Sequence, residues 1–153
     1  MTGTVEAKLA ALGITIPAAS APAANYVPFV ISGNQLWISG QISMANGSFM
    51  TGKLAGEGDI EAGRAAARQC AVNLIAQIKA ALGDLDRVKR VVKLVGFVNS
   101  SPDFTDQPKV VNGCSDLFVE VFGDAGRHAR SAVGVAQLPF NVSVEVEAVI
   151  EFA

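Results

Sequence analysis

From Leu9 to Gly52 the chain carries not one Asp, Glu, Lys or Arg. A lone soluble domain normally scatters charge over such a length, so this stretch must enter a membrane or hide against other protein. Pro17, Pro22 and Pro28 break it, and Ser20, Asn25, Gln35 and Gln41 interrupt it. No run therefore reaches the roughly 20 apolar residues of a bilayer span. The whole chain follows the same bias. It has 153 residues, half of them apolar and only 17% charged, where about a quarter charged is usual. That length implies one domain, long enough to bury a core without disulfides or metal.

The N-terminal region has some features of a secretory signal. Leu9 to Ile16 is apolar and Ala19-Ser20-Ala21 resembles a cleavage site. Against this, Glu6 offsets Lys8, and the apolar run is short and includes Gly13 and Thr15. Residues 1–25 are therefore read as a short helix followed by an extended Ala/Pro linker, and the expected location is the cytoplasm. Net charge −2 and a pI near 5.3 argue against nucleic acid, which needs clustered Lys and Arg. The one basic cluster, Arg87, Lys89, Arg90 and Lys93, reads as the solvated side of a strand entrance. A single histidine excludes a multi-histidine metal site. Cys70 and Cys114 fall on apolar helix faces and read as buried free thiols.

Hydrophobic periodicity supplies the elements. Residues 4–12 give a turn or two of helix ending at Gly13. Tyr26 to Ser32 and Leu36 to Gln41 flank Ser32-Gly33-Asn34-Gln35 as a hairpin. Residues 45–58 read as a loop holding a short strand near Phe49. Asp59 is placed as an N-cap, before apolar positions every three or four residues from Ile60 to Leu82, with Gly83 closing the helix. Val88 to Val98, β-branched on both faces, reads as a central strand. A second helix runs through Val110, Cys114, Leu117 and Val121 to Gly123. Ala129 to Ala136 is a strand. The final strand alternates, with Val142, Val144, Val146, Ala148, Ile150 and Phe152 on one face and Ser143, Glu145, Glu147 and Glu151 on the other. The expected class is α+β, two helices on one face of a mixed sheet. Its other face also carries apolar residues and calls for a partner.

No phosphate loop, dinucleotide fingerprint or hydrolytic triad is present. Arg130 stands out, in a strand that is otherwise uncharged. A guanidinium there must pair, reach solvent or be kept for an anion, which it can grip with two parallel hydrogen bonds. Glu145 is either part of a water-facing acidic stripe or a group that orients a water. Tyr26 and Trp37 read as packing on pattern alone. His128 reads as a surface residue, a local hydrogen-bonding partner or a general base.

These residues together resemble the Rid (YjgF) family of reactive-intermediate deaminases. The resemblance rests on Arg130-Ser131, Leu138-Pro139 and Val144-Glu145-Val146-Glu147-Ala148. It is supported by Tyr26, Ser39-Gly40-Gln41, Phe97-Val98 and Asn112. It covers residues 26–153 and looks like a longer-chain subgroup. It implies a chorismate-mutase-like fold, a homotrimer whose sheets form a central β-barrel, and sites between subunits. The implied activity is hydrolysis of 2-imino and 2-enamino acids to a 2-keto acid and ammonia, without cofactor or metal. Arg130 would hold the substrate carboxylate and Glu145 would position the water. Tyr26, Ser39, Gly40, Asn112 and Ser131 would line the cleft. The partners implied are a small imino, enamino or keto acid and two further copies of the chain, with no nucleic acid or membrane. Alternatives are a non-catalytic trimeric sensor of small carboxylates and a ribonuclease or chaperone-like protein. The chain departs from the family in His128 and Ala132, where proline and cysteine are common. It also has one extra residue between Asn112 and Arg130.

Overall fold

The computed structural model describes residues 3–153. Of the 1–25 extension, the first two residues lie outside the described part. Helix α1, Thr4–Ala11, is short, yet its Val5 and Leu9 belong to the same buried core as the rest of the domain. Its free N–H groups are met from far along the chain. The Asp86 carboxylate accepts from Thr4 N and Val5 N at 2.8 and 2.9 Å, and these bonds hold its pKa below the ordinary carboxylate value.

Helix α2, Ile60–Leu82, buries Ala67, Cys70, Ala71, Leu74, Ile75 and Ile78 at the expected three-and-four spacing. Asp59 stands at its N-cap, but its carboxylate points back to accept from Ala55 N and Gly56 N at 2.7 and 3.2 Å. The helix stops at Gly83, whose φ of 78° suits glycine. Helix α3, Gln107–Phe122, packs Val110, Cys114, Leu117, Phe118 and Val121 into the core. It lies close against α2. A Cβ on Gly113 would sit 2.1 Å from the Arg64 carbonyl oxygen.

Both helices cover one face of a five-stranded sheet. Its strands are β1 Phe29–Ser32, β2 Gln35–Ile42, β5 Val88–Asn99, β6 Ala129–Val135 and β7 Val144–Phe152, in the order β1-β2-β7-β5-β6. A separate two-stranded ribbon joins β3, Met44–Ala45, to β4, Ser48–Phe49. Strands β5 and β6 are parallel, as the α3 crossover between them requires. The other pairings are antiparallel. The first strand starts at Phe29 rather than Tyr26. Pro28 has no N–H to give a ladder, and Tyr26 N instead turns back to Ala24 O at 2.9 Å.

The expected closed barrel is overturned. The sheet is open, with β1 and β6 as unpaired edges at opposite ends. Side chains fill a barrel at about eight strands, and here a four-residue strand ends the sheet on one side.

On the helix side Leu36, Leu94, Val144, Val146 and Ile150 are fully buried, each contributing about 1.5–3 kcal/mol of burial. The other face is uncovered in the single chain and mixed in character: Val30, Trp37 and Val133 stay roughly half exposed on it, beside Glu145 and Glu147 of β7. Among the described residues, no helix is long and apolar enough to cross a membrane.

Candidate functional site

Arg130 enters the fold at the start of edge strand β6. It pairs in register with Leu94, which is fully buried under the helices. Neighbouring paired residues point to the same face, so the Arg130 side chain lies against α3. Its Nη1 donates to Asn112 Oδ1 at 2.8 Å and to Ser115 Oγ at 3.2 Å, and its Nη2 donates to the Pro108 carbonyl at 3.4 Å. All three acceptors are neutral, and no carboxylate pairs with Arg130 among the described residues. With five N–H donors and three bonds made, two donors remain.

His128 supports this arrangement from behind. Its Nδ1 lies 2.6 Å from the Gly126 carbonyl and its Nε2 lies 2.9 Å from Ser115 Oγ. The carbonyl can only accept, so Nδ1 carries the proton and Nε2 accepts from Ser115. Burial pushes the imidazole pKa down; the hydrogen bond to the Gly126 carbonyl opposes this, the nearby Arg130 charge adds to it, and the net shift is downward. The ring is therefore neutral, and Ser115 is free to receive the Arg130 proton donor.

Glu145 occupies a different place. It alternates with Val144 and Val146, both fully buried beneath α2, so its carboxylate projects from the opposite face of the sheet to Arg130. It pairs with Ile42 just beyond a bulge in β2 between Ile38 and Gln41. Gly40 lies in that bulge, and a Cβ there would meet Glu145 Oε2 at 2.5 Å. Burial raises the Glu145 pKa, and Glu147 on the same face raises it further. Beside it is a cavity of about 640 Å³ lined by Tyr26, Gly40, Phe49, Phe140 and the strap Ser20–Ala24. The strap is tied down where Gln77 Nε2 donates to the Ser20 carbonyl at 2.9 Å.

The sequence-derived residues thus fall into two groups. Arg130, Asn112 and His128 share one cluster; Tyr26, Gly40 and Glu145 share the other. Ser39 and Ser131 join neither. Ser39 Oγ donates to the Val27 carbonyl at 2.8 Å, and Ser131, paired with Val95, points to the face away from Arg130. Sequence reading missed Ser115, although its position one turn after Asn112 on α3 was a usable signal. It also missed the pair Phe49 and Phe140. Their rings stack with centroids 4.8 Å apart and planes 10° from parallel, a contact no local pattern announces. Phe140 makes it from a left-handed backbone, φ 59° and ψ 17°, a conformation that costs a bulky residue on the order of 1–3 kcal/mol.

The two thiols take no part. Cys70 and Cys114 are buried and free, and burial raises both pKa values. No group of His, Cys, Asp and Glu able to hold a metal occurs among the described residues.

The chain is similar to known proteins over nearly its whole length. The model of a family described as "YjgF/chorismate_mutase-like, putative endoribonuclease" matches residues 6–152. Protein TCP17 of Trypanosoma cruzi is 59% identical over 152 residues, covering 98% of this chain and 95% of that one. A 2-iminobutanoate/2-iminopropanoate deaminase of Dermatophagoides farinae is 31% identical over 139 residues, covering 90% and 93%. The crystal structure of Atu1372 from Agrobacterium tumefaciens superposes with a TM-score of 0.90 at 51% identity, covering 98% and 93%.

Proposed function

The chain belongs to the YjgF/chorismate mutase-like family, and from that premise we propose that it hydrolyses 2-imino and 2-enamino acids to a 2-keto acid and ammonia. The observation that carries this reading is the unpaired guanidinium of Arg130. A half-buried cation supplied only with neutral acceptors is costly unless an anion completes it. A substrate carboxylate, taken on its two remaining donors, does so.

The chemistry left to the protein is small. An enamine tautomerises to the imine. Water then adds to the imine carbon, and the C–N bond breaks to release ammonia and leave the keto acid. Glu145 takes a proton from that water, and its raised pKa brings its basicity nearer to neutral pH, where a general base is most effective. Arg130 fixes the reacting carbon relative to the water, which supplies orientation. No cofactor is called for.

Arg130 and Glu145 leave opposite faces of one sheet, so one copy does not bring them together. The reading therefore takes Arg130, Asn112 and Ser115 from one copy, and Glu145, Gly40 and Tyr26 from its neighbour, in a homotrimer. Ribonuclease activity is not adopted, because net charge −2 leaves little for phosphate neutralisation.

The test is release of 2-keto acid from imines formed by a coupled dehydratase. The wild-type chain should accelerate it, and Arg130→Ala should reduce the acceleration by on the order of 100-fold or more, as loss of a charge-pair partner does. Saturable keto-acid binding with no acceleration over several precursors would leave a carboxylate sensor instead.

A further inference from the structure

On one copy alone, the cavity beside Glu145 is larger than a three-carbon imino acid needs. Its volume of about 640 Å³ lies in the range of about 300–1,000 Å³ typical of pockets for drug-sized ligands. Its polar groups are mostly committed. Asn73 Nδ2 donates to the Ile42 and Met44 carbonyls, each at 3.0 Å, and Gln41 Nε2 donates to the Ser39 carbonyl at 3.1 Å. Glu145 is the one charged residue in the lining. The strap wall, Ser20 to Ala24, is alanine, proline and serine, whose short side chains leave the space open.

Aromatic surface is concentrated on the same cavity. Phe49 and Phe140 are stacked yet remain 42% and 58% exposed, and Tyr26 lines the same space. Phe140 and Asn141 are consecutive left-handed residues. A bulky side chain is rarely found in that region, and such outliers gather at ligand-contacting sites. The backbone is thus held in an unfavourable form while presenting an aromatic platform to open space.

Resting on the imine-hydrolysis reading, we propose that the substrate class is 2-imino acids with bulky apolar side chains, aromatic ones above all. The ring lies against the Phe49–Phe140 pair, and the imine carbon lies toward Glu145. Offset stacking on an aromatic pair rewards a ring over an aliphatic chain of similar size.

The test uses the full chain. Imines are generated in situ by an L-amino-acid oxidase from alanine, leucine and phenylalanine, and keto-acid release is followed. The expected kcat/KM for the phenylalanine-derived imine exceeds that for the alanine-derived imine by about tenfold or more, and Phe140→Ala brings the ratio near unity. Phe140→Gly, which suits the left-handed backbone, does the same and separates loss of the ring from misfolding. Wild-type turnover of the alanine-derived imine that equals or exceeds that of the phenylalanine-derived one, and is abolished by Arg130→Ala, overturns the aromatic preference while the hydrolysis reading stands. Absence of any turnover removes the hydrolysis reading, and calorimetry then decides the cavity. Selective binding of an aryl 2-keto acid over pyruvate, lost in Phe140→Ala, supports the aromatic preference; equal binding or none overturns it.

Discussion

At Arg130, four residues are spent on holding one charge still. Asn112, Ser115 and the Pro108 carbonyl accept its N–H groups, and His128 can support Ser115 only while neutral. The lowered imidazole pKa keeps it so. Its linkage has a definite sign, since the unfolded chain binds the proton more readily and stability falls as pH drops from about 6.5. Glu145 runs the other way. Its folded pKa is raised, so its favourable contribution is full below the unfolded value and is lost as pH rises through the folded one. Glu145→Gln should therefore raise the Tm at pH 7 while removing imine hydrolysis, as thermal melts beside the coupled assay will show. Gly40→Ala offers a finer probe. The added Cβ displaces the flexible end of Glu145 rather than backbone, so activity should fall with little change in Tm. The sequence singled out Arg130, Asn112 and Glu145 as candidates because a charge in an apolar strand, or a known motif, marks itself, and the structure brings the first two within hydrogen-bonding distance. Ser115, Phe49 and Phe140 were not. Their roles are created by contacts, such as Ser115 with His128, that the fold alone brings within reach.

The helices and long strands were the most readable elements, because each has one periodic face to bury. α2 and α3 follow the three-and-four rule, and β7 alternates strictly. Elements that depend on hydrogen-bonding context were read less well. The carboxylate expected to cap α2 turns back to the preceding loop, and α1 takes its cap from Asp86, some eighty residues on. Barrel closure was an inference from resemblance, and strand patterns do not encode whether two edges meet. The helix pair has its own vulnerable point. Gly113 lets α3 approach the Arg64 carbonyl, and a methyl group there would clash with backbone, which cannot swing away. Gly113→Ala should cost about 1–3 kcal/mol, read as a lower urea midpoint with an unchanged m-value.

For the whole molecule the governing facts are an uncovered sheet face carrying Val30, Trp37 and Val133 beside two glutamates, two free edges, and Arg130 and Glu145 on opposite faces. The charge-free stretch from Leu9 to Gly52 supplies much of that surface, including Val30 and Trp37. Light scattering at micromolar concentration should return three times the chain mass, and a stable monomer would remove the shared-site reading. If sites form between copies, a lesion in one chain spoils only the half it contributes. Arg130→Ala and Glu145→Gln chains, each inactive alone, should recover function when unfolded together and refolded as mixed assemblies. With equal amounts and random association, about one site in four draws an intact Arg130 from one variant and an intact Glu145 from the other. In a cell carrying both defective alleles, that fraction would appear as complementation between two null mutations of a single gene.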